Sequence, residues 1–282
     1  MRRILLTVMA CAAMTVCGQE LEIHKSREKM ECSHPGIRRC VRYDVSGESV
    51  PECMDGVRVA FVTDMHYASR FTDKTLESLG RMLRELNADI ILLGGDYQEG
   101  CEYVEPLFRE IMTARPRYGA YGVLGNNDYE RCTEVISRSM SDNGIKLLEN
   151  AIDTINIDGG QLIVAGAKNT FKKRETVACP TGGLSTEDFV LLITHTPDYV
   201  EDVECPNVDM AFAGHLHGGQ VTLFGLYAPV MPSHYGQRFR HGLKYSTAGV
   251  PILVSNGIGT SRKNIRLFAA AEIHLIVFRH KK

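Results

Sequence analysis

Short apolar runs recur through the first half of the chain, and each stops in a polar cluster. Val57 to Thr63 is short and rich in β-branched residues, which predicts a strand ending in Asp64-Met65-His66. From Thr72 to Leu86, residues Leu76, Leu79, Leu83 and Leu86 share one helical face, with Thr72 or Asp73 placed to cap it. Ala88 to Leu93 predicts a second buried strand, ending in Gly94-Gly95-Asp96. A helix over Tyr103–Ala114 and a strand over Tyr118–Leu124 follow, and that strand ends in Gly125-Asn126-Asn127-Asp128. A helix over Tyr129–Asp142 and a short strand, Ile145–Leu148, complete this half. Strands alternating with helices predict a parallel sheet. Its carboxyl edge, where open α/β sheets bind ligands, then carries three polar clusters.

The second half is mostly β. Thr154–Ile157 and Gln161–Val164 flank Asp158-Gly159-Gly160, a hairpin signal. Phe189–Thr194 predicts a strand ending in His195, and Val208–Ala213 one ending in Gly214-His215-Leu216-His217-Gly218-Gly219. Two imidazoles two residues apart lie on one side of an extended chain. Further strands are expected over Val221–Leu226, Ile252–Ser255 and Leu267–Phe278, with a Pro/Gly/His-rich loop over Tyr227–Gly249. Lys168 to Gly183 has no periodicity; its Lys168, Lys172, Lys173 and Arg174 suit a solvated loop or a flap over an anionic substrate. A second sheet packed on the first is expected.

The N-terminus departs from this pattern. Met1-Arg2-Arg3 is basic, Ile4 to Cys17 is apolar but short for a bilayer span, and Gly18 onward turns polar. This is the build of a signal peptide over residues 1–18, or of a lipoprotein signal anchored at Cys17. The protein is therefore expected in the periplasm or cell envelope. Residues 19–56 read as an irregular arm with a lead-in strand near Ile37–Val45, and 57–282 as the main domain. Seven of the nine cysteines lie beyond Gly18, so at least one is free or pairs between chains. Cys32 and Cys40 are close enough in sequence to bridge a loop, and no CxxC pair points to a zinc-thiolate site. The net charge of −2 gives no sign of a general nucleic-acid or membrane-surface binder.

The strand-end residues form one chemical set: Asp64, His66, Asp96, Asn126, His195, His215 and His217. Carboxylates, an amide carbonyl and imidazoles without thiolate suit Mn, Fe or Zn. Seven ligands exceed one tetrahedral site and fit two divalent ions if one carboxylate is shared. Two such ions roughly 3.5–4 Å apart clamp a phosphoryl group and acidify a water, which points to phosphate-ester hydrolysis. His234 and His241, in a loop with Arg238 and Arg240, stand as either substrate-side or solvated residues, and Arg262 and Arg266 as candidates for phosphate contact.

The order DxH, GGD, GNND, H and GHxH resembles the calcineurin-like metallophosphoesterase superfamily from about Val57 to the end of the chain. The resemblance implies an α/β fold, a four-layer α/β/β/α sandwich of two mixed β-sheets flanked by helices. It implies that Asp64, His66 and His217 hold one ion, that Asn126, His195 and His215 hold the other, and that Asp96 bridges them. The runs His215–Gln220, Met231–Gln237 and Ser255–Thr260 resemble an exported or membrane-associated branch of phosphodiesterases and UDP-2,3-diacylglucosamine pyrophosphatases. That implies a phosphorylated small-molecule or lipid-linked substrate and association with a membrane. The family's third motif usually carries histidine, thought to protonate the leaving group, where this chain has Asn127; the acid that orients it is kept as Asp128. Asn127 and Asp128 are therefore the candidate catalytic residues, although an amide supplies no titrating proton. A phosphomonoesterase is the alternative activity. A non-catalytic scaffold is the competing class, favoured only by Asn127 and opposed by the complete ligand set.

Overall fold

The computed structural model describes residues 21–27, 34–168 and 177–282. The leader at residues 1–18, Cys32 and most of the basic run after Lys168 lie outside the described residues.

In chain order the strands and helices are β1 (Glu22–Lys25), β2 (Arg39–Gly47), β3 (Arg58–Val62), α1 (Asp73–Leu86), β4 (Ile90–Leu93), α2 (Val104–Met112), β5 (Ala120–Gly122), α3 (Asn126–Glu130), α4 (Thr133–Asp142), β6 (Ile145–Leu147), β7 (Ala151–Ile157), β8 (Gly160–Gly166), β9 (Val190–Ile193), α5 (Tyr199–Asp202), β10 (Met210–Ala213), β11 (Gly242–Tyr245), β12 (Pro251–Val254) and β13 (Glu272–His280). They build two mixed sheets, ordered β1-β2-β13-β3-β4-β5-β6 and β11-β12-β10-β9-β8-β7. The strands that end in polar clusters run parallel within each sheet: β3, β4 and β5 in the first, β9 and β10 in the second.

These strands read as unbroken apolar runs because both faces of each are covered. In β3, Val59 and Phe61 face the second sheet, while Ala60 and Val62 face the helices. The core between the sheets includes Phe61, Leu92, Ile193, Phe212 and Phe278, and the rings of Phe61 and Phe212 lie 5.4 Å apart across it. α1, α2 and α4 cover the first sheet through residues such as Leu79, Leu83, Phe108 and Met140. The second sheet has a thinner cover of α5 and irregular chain, including Tyr199, Leu216 and Phe239.

Four local expectations change. The helix expected over Tyr129–Asp142 is broken between Glu130 and Thr133, where Cys132 takes a left-handed conformation and forms a disulfide with Cys101. Val221–Leu226 is not a strand; its large apolar side chains are exposed and only isolated bridges, Val221 to Leu267 and Leu223 to Tyr227, hold it. β13 starts at Glu272 rather than Leu267. β1 and β11 are strands in stretches whose pattern predicts loop, because each pairs along the outside of a sheet edge. Cys53, Cys179 and Cys205 are free thiols.

The Cys101–Cys132 bridge closes a loop of 31 residues that runs from the segment after β4 to the start of α4. Loop-closure entropy assigns it about 3–4 kcal/mol. Cys101→Ser/Cys132→Ser is therefore expected to lower the unfolding free energy from urea titration by that amount; an unchanged unfolding free energy contradicts a structural role.

Candidate metal centre

Five strand ends converge where the carboxyl edges of the two sheets meet. β3 delivers Asp64 and His66, β4 delivers Asp96, β5 leads into Asn126, β9 into His195, and β10 into His215 and His217. Asp64, His66 and His217 form one buried cluster, and Asp96, His195 and His215 a second. In each, one ligand atom per residue lies within 4.8 Å of the others. Asp96 Oδ2 is 3.4 Å from His66 Nε2 in the first cluster and 3.4 Å from His195 Nε2 in the second. His217 Nε2 is 3.4 Å from Asp64 Oδ1.

The backbone that achieves this is not extended. His215 and His217 have φ of 67° and 50°, so they do not share one side of a strand but enter different clusters. Asp64, His66 and Asp96 also have positive φ, at 51°, 42° and 53°. Left-handed conformations are costly for such residues and concentrate at functional sites. Glycines make the close approach feasible. A Cβ on Gly214 would lie 2.0 Å from Asp64 Oδ2, and one on Gly125 would lie 2.1 Å from Asp96 Oδ1.

A frame of hydrogen bonds aims the ligands. The Thr63 hydroxyl donates to Asp64 Oδ2 at 2.7 Å, and the His215 backbone N–H donates to the same carboxylate. His195 Nδ1 lies 2.7 Å from the Gly94 carbonyl, which turns Nε2 toward Asp96. His66 Nδ1 meets Glu99 Oε1 at 2.7 Å. Arg266 donates to His217 Nδ1 and to the Gly259, Ala269 and Asn256 carbonyls. It is thus spent inside the protein and is not a phosphate contact. Asp128 also differs from expectation. It is fully buried and accepts the backbone N–H groups of Asp96, Tyr97 and Gly125 at 2.7, 3.1 and 2.8 Å, so it locks the two loops together rather than orienting residue 127.

Charge explains why these groups tolerate burial. Burial opposes ionisation of Asp96, but the adjacent His195 and His66 outweigh it and hold the carboxyl well below the usual range. Burial pushes Asp64 up, offset in part by His195 and His66. Burial and the neighbouring His195 bring His215 down to about 3; burial and His66 hold His217 well below its ordinary value. His215 and His217 are thus held neutral, as ligands must be, whereas against burial Glu99 pushes His66 up and Asp96 pushes His195 up to about 10, so a cation binding there displaces protons from those two imidazoles.

The residues fit a pair of divalent cations. His66 Nε2 and Asn126 Oδ1 are buried and have no hydrogen-bond partner. Leaving such a group unsatisfied costs about 1–3 kcal/mol, which a bound cation would offset. The donors are nitrogen and oxygen only, as Mn, Fe and Zn accept.

A cleft of about 720 Å³ opens on the centre, and Asn126, Asn127, His215, His217, Arg262 and Lys263 are among its walls. Arg262 is thus an exposed residue of the cleft that opens on the centre. His234 and His241 are not among the cleft walls; His234 is tied through its backbone N–H to Asp198. Glu99 and the buried role of Arg266 had no local signal in the sequence, since their partners are 33 and 49 residues away. Gly214→Ala is expected to cost about 1–3 kcal/mol of stability by overpacking against Asp64 and Thr63, and to weaken Mn²⁺ binding in calorimetry. Unchanged stability and affinity would show that the close approach is not required.

Comparison with known proteins agrees with this geometry. The family profile described as Calcineurin-like phosphoesterase matches residues 57–219, which contain all seven strand-end residues. The uncharacterized metallophosphoesterase YkuE of Bacillus subtilis (strain 168) is 25% identical over 248 residues, covering 85% of each chain. A second from the same organism, YkoQ, is 26% identical over 226 residues, covering 77% of this chain and 82% of its own. Among solved structures, the 5'-nucleotidase precursor from Thermus thermophilus aligns with a TM-score of 0.44 at 13% identity, over 78% of this chain and 54% of that one. With both His/Asp clusters intact inside the matched segment, the chain belongs to the calcineurin-like phosphoesterase family and is a metallophosphoesterase with two buried candidate metal sites.

Proposed function

We propose that the protein hydrolyses phosphodiester or pyrophosphate bonds with two divalent ions of Mn, Fe or Zn. One observation carries this reading: Asp96 Oδ2 stands 3.4 Å from an imidazole of each cluster, so one carboxylate serves both. Asp64, His66 and His217 would hold one ion, Asn126, His195 and His215 the other, and Asp96 both. When bound, such a pair neutralises a phosphoryl group and supplies an acidified water. The chain's own residues bind and orient the ester. Arg262 and Lys263 bring positive charge to the cleft wall, and Asn127 offers amide N–H groups beside Asn126. Asn127 is itself held: its backbone N–H donates to Asp96 Oδ1 at 2.9 Å, its Oδ1 accepts from Asn126 Nδ2 at 3.0 Å, and its Nδ2 lies 3.3 Å from His66 Nδ1. It therefore positions a phosphate oxygen and supplies no proton.

Action outside the cytoplasm is part of the proposal. The basic and apolar leader supports it, and the Cys101–Cys132 disulfide is of the kind that persists in oxidising compartments.

Loss of a general acid costs typically about 100- to 10,000-fold, and most for leaving groups of high pKa. Bis-p-nitrophenyl phosphate and pyrophosphate bonds are expected to be cut with Mn²⁺, simple alkyl diesters poorly, and the rate to fall steeply as leaving-group pKa rises. Asn127→His is expected to flatten that slope. A flat slope in the wild type with chemistry rate-limiting would assign the proton to another residue; no turnover of any phosphate ester by metal-loaded protein would refute hydrolysis.

A further inference from the structure

A group of large apolar side chains is exposed beside the cleft. Phe224 is 79% exposed, Leu226 82%, Val230 76% and Phe268 60%, and Leu223, Tyr227, Ile265 and Leu267 are exposed with them. The two segments that carry them are fastened together. Thr222 N–H donates to the Leu267 carbonyl at 3.0 Å, Leu267 N–H to the Gln220 carbonyl at 2.9 Å, and the Phe224 and Phe268 rings lie 5.6 Å apart. Both phenylalanines have left-handed backbone, with φ of 52° and 55°. For a bulky aromatic residue this is an outlier, and here it holds two rings outward. Val221, Val230 and Ile265 also line the cleft, so the apolar face runs into the candidate metal centre.

Charge identifies what the face fits. Between Asp209 and Glu272 the chain has six Lys or Arg residues and no Asp or Glu, which the net charge of −2 conceals. Arg262 and Lys263 stand exposed on the cleft side of the face, and neither has an ion-pair partner among the described residues. On its other side Phe268 borders a second cleft whose walls include the exposed Arg38 and Arg70. An apolar face of this extent flanked by cations on both sides matches the surface of a bilayer containing anionic lipid, with apolar side chains among the acyl chains and cations at the headgroups. No helix among the described residues is long and apolar enough to cross a membrane.

We infer that the face formed by Val221–Val230 and Ile265–Phe268 docks on an anionic bilayer and brings the cleft to a phosphate ester presented at that surface. The docking stands independently; the arrival of substrate from the bilayer rests on the hydrolase reading above. The test uses the full chain and vesicles of phosphatidylcholine with and without phosphatidylglycerol. Wild type is expected to sediment with the anionic vesicles, and Phe224→Ser/Leu226→Ser to partition about ten-fold or more weakly while hydrolysing soluble bis-p-nitrophenyl phosphate at the wild-type rate. Lys263→Glu is expected to weaken partitioning on the anionic vesicles and not on phosphatidylcholine alone. Equal partitioning of wild type and Phe224→Ser/Leu226→Ser overturns the inference. So does a wild-type dimer that the double variant lacks, or a drop in its melting temperature, since a second copy or this chain's own leader would then cover the face. Vesicle binding by metal-loaded protein that turns over no phosphate ester, soluble or in the vesicle, would refute the hydrolase reading and support the docking.

Discussion

The candidate metal centre depends on one buried carboxylate that faces both His/Asp clusters. Asp96 lies at the end of β4 in the first sheet, yet it faces His66 from its own sheet and His195 from the other. That requires the carboxyl edges of two sheets to stay in fixed register. The core between the sheets sets the separation, through side chains such as Phe61, Leu92 and Phe212 that are fully buried. Close packing makes such a core stiff, so the ligand positions are fixed before any ion arrives.

The frame carries strain to do so. Five of the six residues in the two His/Asp clusters have left-handed backbone. Such conformations cost of order 1–3 kcal/mol each and persist only where the surroundings over-determine them. Asp128 does much of this by accepting backbone N–H groups from both the Asp96 and Gly125 loops. The Cys101–Cys132 disulfide ties together the segments that follow those same loops. Stability elsewhere in the fold thus supports a rigid, strained edge on which the candidate metal sites stand.

The strands and their polar ends were legible in the sequence because each motif is local: an apolar run, a glycine, then a ligand type. The candidate ligand types were legible from their chemistry, and their division between two ions only from the family resemblance. What failed to show depended on distant partners. The kink at Cys132 needs Cys101, and the orientation of His66 needs Glu99. The spacing of His215 and His217 suggests a shared strand face, and only the left-handed turns send them apart. Val221–Leu226 has the apolar content of a buried strand, but nothing in the pattern tells that its side chains meet solvent. Periodicity reports which residues avoid water, and a docking face reads the same as a core.

The shared carboxylate is tested most directly by counting metal. Elemental analysis of Mn²⁺-saturated wild type and of Asp96→Ala, alongside circular dichroism to confirm folding, is the decisive measurement. Two ions per chain in the wild type, and loss from both sites in folded Asp96→Ala, is the predicted result. One ion per chain in active wild type, or one full ion retained by Asp96→Ala, would contradict it.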